Sequence, residues 1–336
     1  MAAVRPGPAP AGPATARDRP GERPIIVAEQ VEKRFGDTVA VRDLTLTVQS
    51  GVICGLVGPS GSGKTTAVRL LNGYYAPTRG RLRVLGVDPL RYGGRERRQI
   101  GYLPQHFALY PGLSVLENLN FAASLYGLSL FGRARRLRAL LELVGLWEHR
   151  HRAARELSGG MKRRLMLASS LFHEPRLLFL DEPTAGIDPM LRATFWEEFR
   201  RLRDIGQTLF VTTQYVTEAE YCDQVAVMDR GAVVAVGSPE ELRRRAQGGE
   251  ELALQASGLT RGDLERLRQL PGTRQVWQVG PDEYRLVVED AGTAMPDVLE
   301  ALRADGREVQ ALRPHRPSFD DVFRQIIEQA RAEREG

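Results

Sequence analysis

Cysteine, lysine and long apolar runs are scarce in this chain, and each scarcity excludes something. The two cysteines, Cys54 and Cys222, stand far apart, with no CxxC pair and no histidine cluster beside them. That excludes a disulfide framework or a zinc site as the organising element and fits a reducing cytosol. No window approaches the roughly 18 uninterrupted apolar residues that a membrane-spanning helix requires, so no bilayer crossing is expected. Lysine occurs only at Lys33, Lys64 and Lys162 in an otherwise arginine-based complement of cations. In so arginine-rich a chain, the place of each lysine carries information.

What is present begins with size: 336 residues, enough for one large or two modest domains that bury their own cores. The formal charge is +5, with acids and bases interleaved. Arginine runs such as Arg95, Arg97 and Arg98, or Arg133, Arg135, Arg136 and Arg138, have no aromatic residues between them. They read as solvated helix faces, and no nucleic-acid partner is expected. Met1 to Pro24 is rich in Ala, Pro, Gly and Arg and lacks the apolar core of a signal peptide. It is expected to be a disordered tail.

From Ile25 to Gln49 the apolar residues alternate (Val39, Val41, Leu44, Leu46, Val48), which predicts a small antiparallel β subdomain. Val52 to Val57 is a continuous apolar run of the buried parallel-strand type, followed by glycines and a helix-like stretch from Thr65 to Asn72. Residues about 106–175 read as a helical insert, with leucines at helical spacing. Two further apolar runs, Leu177 to Leu180 and Thr208 to Thr212, end at Asp181-Glu182 and Thr213-Gln214. Strands alternating with helices predict an α/β fold on a parallel sheet, spanning residues 25–246. Past Gly248-Gly249 the texture changes. Strand-like Val276 to Val279 and Tyr284 to Val288, then a final helix capped by Ser318 and Asp321, predict a small α+β accessory domain over residues 250–336.

The motif with the clearest chemistry is Gly58-Pro59-Ser60-Gly61-Ser62-Gly63-Lys64-Thr65, a GxxxxGK[ST] phosphate loop in a strand–loop–helix context. Its amides can wrap a phosphate chain, because glycine admits the dihedrals and the close approach required. The helix that follows points its positive end at the same anion. Lys64 adds a full charge, and the Thr65 hydroxyl is suited to Mg²⁺. Asp181 and Glu182 arrive at the carboxyl edge of the sheet, where ligands of such sheets bind. Asp181 is expected to hold Mg²⁺. Because neighbouring side chains on a strand point opposite ways, Glu182 is left to act as general base toward water.

Leu157-Ser158-Gly159-Gly160, running into Met161-Lys162-Arg163-Arg164-Leu165, then narrows the reading. Ser158 with the Gly159 and Gly160 amides forms a second anion-binding turn at a helix start. With this string between the phosphate loop and Asp181-Glu182, the sequence resembles the nucleotide-binding subunit of ABC transporters, a P-loop NTPase family, over about Ile25 to Arg245. The resemblance implies ATP and Mg²⁺ as cofactors and ATP hydrolysis. It implies a homodimer in which the Ser158 turn of one copy covers the γ-phosphate held by the other. It also implies a separate integral-membrane permease, which would place the chain on the cytoplasmic face of the cell membrane.

Residue by residue, the resemblance gives Phe35 the role of stacking on adenine and extends the phosphate contacts to Thr66. It gives Gln105 contact with Mg²⁺ and the attacking water, and makes His106 to Leu113 part of the groove for the permease. Ala185 to Asp188 would be a dimer contact. Gln214 stands where the family usually has a histidine; its amide can donate to the γ-phosphate but cannot titrate near neutral pH. Met161, Gln214 and the terminus Pro317-Ser318-Phe319-Asp320-Asp321-Val322-Phe323 resemble the drug- and polysaccharide-exporting branch, which implies export of a drug, lipid or polysaccharide. A soluble ATPase of the same family, or a nucleotide-dependent regulator that scarcely hydrolyses ATP, remains the alternative.

Overall fold

The computed structural model describes residues 24–106 and 108–335. The expected tail lies outside the described residues, except for Pro24, which opens the first strand. The first half of the chain runs β1 (Pro24–Phe35), β2 (Thr38–Gln49), β3 (Ile53–Val57), α1 (Lys64–Leu71), β4 (Arg79–Val84), α2 (Gly94–Arg97), β5 (Ile100–Leu103), α3 (Val115–Leu125), α4 (Arg133–Leu143) and α5 (Gly159–Leu171). There follow β6 (Leu177–Asp181), α6 (Pro189–Asp204), β7 (Thr208–Thr213), β8 (Gln224–Asp229), β9 (Ala232–Gly237) and α7 (Pro239–Gln247). The C-terminal part comprises β10 (Glu250–Ala256), α8 (Arg261–Gln269), β11 (Thr273–Gly280), β12 (Glu283–Val288), α9 (Ala291–Ala304), β13 (Val309–His315) and α10 (Phe319–Glu335).

One nine-stranded sheet, in the order β4-β1-β2-β9-β8-β3-β7-β6-β5, carries the first part. Its centre is parallel: β3 pairs with β7 and β8, and β6 with β5 and β7. β3, β6 and β7 are buried along their whole length, as strands covered on both faces must be. Alternate side chains feed two cores. Ile53, Val57, Leu178, Leu180, Leu209 and Val211 enter the core shared with the helical insert and α6. Cys54, Leu56, Leu177, Phe179 and Phe210 enter the core shared with α1 and the β1–β2 strands. This is the period of two that a pleated strand imposes.

The structure departs from a purely parallel sheet in two places. β8 and β9 are antiparallel, with Asp229 opposite Ala232. The two residues between them, Arg230 and Gly231, both have positive φ, the condition for a two-residue hairpin turn and far too short for a parallel crossover. β1 pairs antiparallel with both β2 and β4, and this group joins the main sheet where β2 meets β9 at Asp43 opposite Ala232.

The C-terminal strands form a separate antiparallel sheet, in the order β11-β12-β10-β13. Leu252, Leu254, Leu286 and Val288 meet Leu267, Val298 and Leu302 of α8 and α9 in a third core. The last helix departs from this unit. Phe319, Val322, Ile326 and Ile327 of α10 are buried in the large core of the nucleotide-binding body, each contributing about 1.5–3 kcal/mol by burial. The expected cap is present, Asp321 N donating to Ser318 Oγ at 3.2 Å. Among the described residues, no helix is long and apolar enough to cross a membrane.

Candidate functional site

The phosphate loop packs closely against its neighbours, which leave no room for a side chain at two of its glycines. A Cβ on Gly58 would run into the Met228 carbonyl. Gly63, with φ +105°, would set one against the Ala40 carbonyl and the Met228 methyl. Gly63 also precedes α1 with no side-chain cap, so the first amides of that helix stay available. A cavity of about 520 Å³ opens over this loop, with Thr38, Ser60, Lys64, Thr65, Gln105 and Glu182 among its walls and Arg230 and Gly231 at its side.

Lys64 is buried, and its Nζ donates to the carbonyls of Gly58 (2.8 Å) and Pro59 (2.9 Å). Burial lowers its pKa from the ordinary lysine value, against the opposing charges of Glu182 and Asp181. Glu182 Oε1 lies 3.8 Å from Nζ, and Gln105 Nε2 donates to Glu182 Oε2 at 2.9 Å. Asp181 Oδ1 accepts from Thr65 Oγ1 (3.2 Å) and Thr212 Oγ1 (2.7 Å). Its Oδ2 and the Ser62 hydroxyl oxygen are buried and make no hydrogen bond among the described residues.

Strand alternation separates Asp181 from Glu182 only in part. Asp181 ends β6 on the α1 side, beside Thr65. Glu182 then leaves the strand with φ +48°, a left-handed conformation costing a non-glycine residue roughly 1–2 kcal/mol. The turn brings its carboxylate back toward Lys64, so both acids reach the phosphate loop. Partners hold this strained residue at both ends. Its N–H donates to Thr212 O (3.2 Å) and Thr212 Oγ1 (2.9 Å), and its carbonyl accepts from Arg163.

Arg163 and Glu218 are the parts that sequence reasoning missed. Arg163, buried on α5, donates to the carbonyls of Pro104 (3.2 Å), Gln105 (2.5 Å), Asp181 (3.3 Å) and Pro183 (3.1 Å), besides Glu182. One guanidinium thus ties α5 to the Gln105 loop and to the turn after β6. Burial lowers its pKa, opposed by the Asp181 and Glu182 carboxylates. Its signal in the sequence was its place on the 163–167–170 stripe, where Leu167 and Ser170 are buried. Glu218, also buried, accepts from Thr184 Oγ1 (2.7 Å) and Thr213 Oγ1 (2.5 Å), and Arg192 Nε lies 3.6 Å away. It joins the segment after Glu182 to the strand end that presents Gln214, and nothing local in the sequence marks it.

Three expected groups stand apart from these walls. Gln214 is exposed just past β7. Phe35 is 44% exposed at the end of β1, edge-on to Tyr75 with Lys33 Nζ 4.9 Å from its ring centre. Ser158 caps α5, accepting from Met161 N at 3.3 Å, with Gly159 and Gly160 in the first turn. None of these lines the cavity over the phosphate loop.

Comparison with known proteins agrees with this geometry. Residues 41–185 match the ABC transporter family, and residues 237–327 match the C-terminal domain of DrrA1-3-like ATP-binding proteins. The daunorubicin resistance ATP-binding protein DrrA3 of Streptomyces coeruleorubidus is 39% identical over 306 residues, 89% of this chain and 94% of that protein. The probable multidrug ABC transporter ATP-binding protein YbhF of Escherichia coli (strain K12) is 40% identical over 237 residues, 70% of this chain but only 41% of that longer protein. A solved structure, the ATP-binding subunit of an ABC transporter, superposes with a TM-score of 0.61 at 29% identity, covering 66% of this chain and 92% of that one. A glycine-built phosphate loop facing Asp181 and Glu182, a signature turn at Ser158 and these likenesses together place the chain in the ABC transporter ATP-binding family, as an ATP-binding protein with a DrrA-like C-terminal domain.

Proposed function

We propose that this chain hydrolyses ATP to power export of a drug, lipid or polysaccharide through a separate membrane-spanning permease, to which it binds at the cytoplasmic face. One observation carries the reading: Lys64, Thr65, Gln105 and Glu182 line a single cavity over the phosphate loop, and the buried Asp181 carboxylate accepts from Thr65 at that wall. Export is supported by the relatives named for daunorubicin resistance and multidrug transport.

The amides of Gly58 to Lys64 and the hydroxyls of Ser60, Ser62 and Thr66 would wrap the triphosphate, and Lys64 would exchange its two carbonyl partners for phosphate oxygens. The buried, unbonded Asp181 Oδ2 beside the Thr65 hydroxyl suits Mg²⁺. Thr65, Asp181 and Gln105 would hold the ion, which supplies neutralisation of phosphate charge. Glu182 takes a proton from the attacking water as its oxygen bonds the γ-phosphorus and the bond to the β-phosphate oxygen breaks, releasing ADP and phosphate. Gln105 keeps the Glu182 carboxylate aimed through its amide. Gln214 donates to the γ-phosphate, and Phe35 stacks on adenine. The Ser158, Gly159 and Gly160 turn of a second copy closes over the γ-phosphate in a head-to-tail pair.

Phosphate release by the purified chain tests this directly. Glu182→Gln should lower turnover by about 10² to 10⁴, the usual contribution of a general base, while ATP is still bound. Equal turnover in both proteins would defeat the assignment.

A further inference from the structure

The C-terminal helix reaches the nucleotide cavity by a route that the site chemistry does not use. Arg331, in its last turns, clamps Asp229 through two parallel bonds, Nε to Oδ2 at 3.1 Å and a terminal guanidinium nitrogen to Oδ1 at 3.2 Å. The two residues are 102 positions apart, and Asp229 is 2% exposed. It closes β8, immediately before the tight turn Arg230-Gly231. Both turn residues line the cavity.

That turn is also a brace for the phosphate loop. Gly231 N donates to Ser62 O at 2.9 Å, and Gly231 O accepts from Arg42 N at 2.6 Å. Just before it, the Met228 carbonyl packs against Gly58 so closely that no side chain would fit there. Loop, turn and β2 are therefore held in one register, and Asp229 is the charged residue by which the register is fixed from behind. A buried carboxylate deprived of its bidentate partner is strongly disfavoured, so the turn would have to shift to bring it toward water. On its other side α10 is anchored by Phe319, Val322, Ile326 and Ile327, and Gln329 Nε2 donates to Ala246 O at 3.1 Å. Only residues 316–318 separate it from β13 of the accessory sheet.

We propose that Arg331 is a positioning residue for nucleotide binding, and that through it the C-terminal unit sets the affinity of the phosphate loop for ATP. The inference rests on the proposed ATP site. It gives the accessory sheet a means of action: a displacement of β13 is carried along α10 to Asp229 and from there to the cavity wall.

The test is titration of the full-length chain with a fluorescent ATP analogue in the presence of Mg²⁺, together with KM and kcat for ATP. Arg331→Gln should weaken binding about fivefold, within the range by which residues remote from a ligand modulate it. KM should rise by a similar factor and kcat at saturation stay within about twofold. Arg331→Lys, which keeps the charge but not the two-pronged geometry, should fall between. Arg324→Gln is the control on the same helix, since Arg324 pairs with Asp321 there, and should bind as wild type does. Asp229→Asn should weaken binding, and adding it to Arg331→Gln should produce little further loss. The proposal is overturned if Arg331→Gln binds within twofold of wild type. Additive losses in the double variant, or an equal loss in Arg324→Gln, would overturn it as well. Failure of the wild-type chain itself to bind would instead strike the ATP site on which the inference rests.

Discussion

Two helix starts in this molecule carry anion-binding turns, and they are finished differently. At α1 the residue before the helix is Gly63, with φ +105° and no side-chain cap, and the amides that follow face a cavity walled by Lys64, Gln105 and Glu182. At α5 the residue before the helix is Ser158, whose hydroxyl is already bonded to the Met161 amide, and the cavity does not extend to it. One start is the floor of a site built within the chain. The other is a capped turn on the surface, outside the cavity over its own chain's phosphate loop. The difference teaches that a motif can be complete as local structure and incomplete as a site. On our reading, the turn at Ser158 acquires its function only against a second copy.

The largest effect that sharpens this contrast concerns how the first site handles the γ-phosphate. Gln214→Ala should lower phosphate release on the order of 10² to 10³ if the amide donates in the transition state, and Gln214→His should keep or raise it. Equal rates in all three proteins would show that the strand end after Thr213 contributes nothing. A smaller effect separates the two starts themselves. Lys64→Ala should weaken ATP binding to the single chain by about tenfold to hundredfold, the worth of hydrogen bonds to a charged group. Ser158→Arg should leave single-chain binding within about twofold while suppressing turnover. Comparable losses of affinity in both variants would break the comparison, because the Ser158 turn would then be serving its own chain's phosphate loop.

What could be read from the sequence was whatever depends on neighbours along the chain. The phosphate loop is contiguous, so its spacing of glycines, lysine and threonine is legible along the chain, although the contacts that exclude side chains at Gly58 and Gly63 come from the distant Met228 and Ala40. The run Leu177 to Leu180 announced a buried strand ending in Asp181. Beyond that point the reading thinned for a physical reason. Alternation governs side chains only while the backbone stays extended, and Glu182 turns left-handed, so its carboxylate swings back to Lys64. What holds it there comes from far away in sequence: Thr212, 30 residues on, and Arg163, 19 residues before. A spacing rule cannot register such partners.

The same limit explains the sheet and the last helix. Arg230-Gly231 is a two-residue turn between apolar strands, but only the pairing of β9 with β2 shows that it welds the antiparallel strands to the parallel sheet. The amphipathic pattern of α10 announced a buried face. It did not announce which core that face would enter, and the apolar residues of α10 lie with the nucleotide-binding body. Arg331 could therefore be seen in the sequence only as one more arginine.

The central claim, that ATP is enclosed between the phosphate loop of one copy and the Ser158 turn of another, is tested most directly by sedimentation of the Glu182→Gln chain, in which bound ATP persists. The account predicts one chain per particle without nucleotide, two with ATP and Mg²⁺, and one again when Ser158→Arg is added. A particle whose mass is indifferent to ATP, or a pair that survives Ser158→Arg, would contradict it.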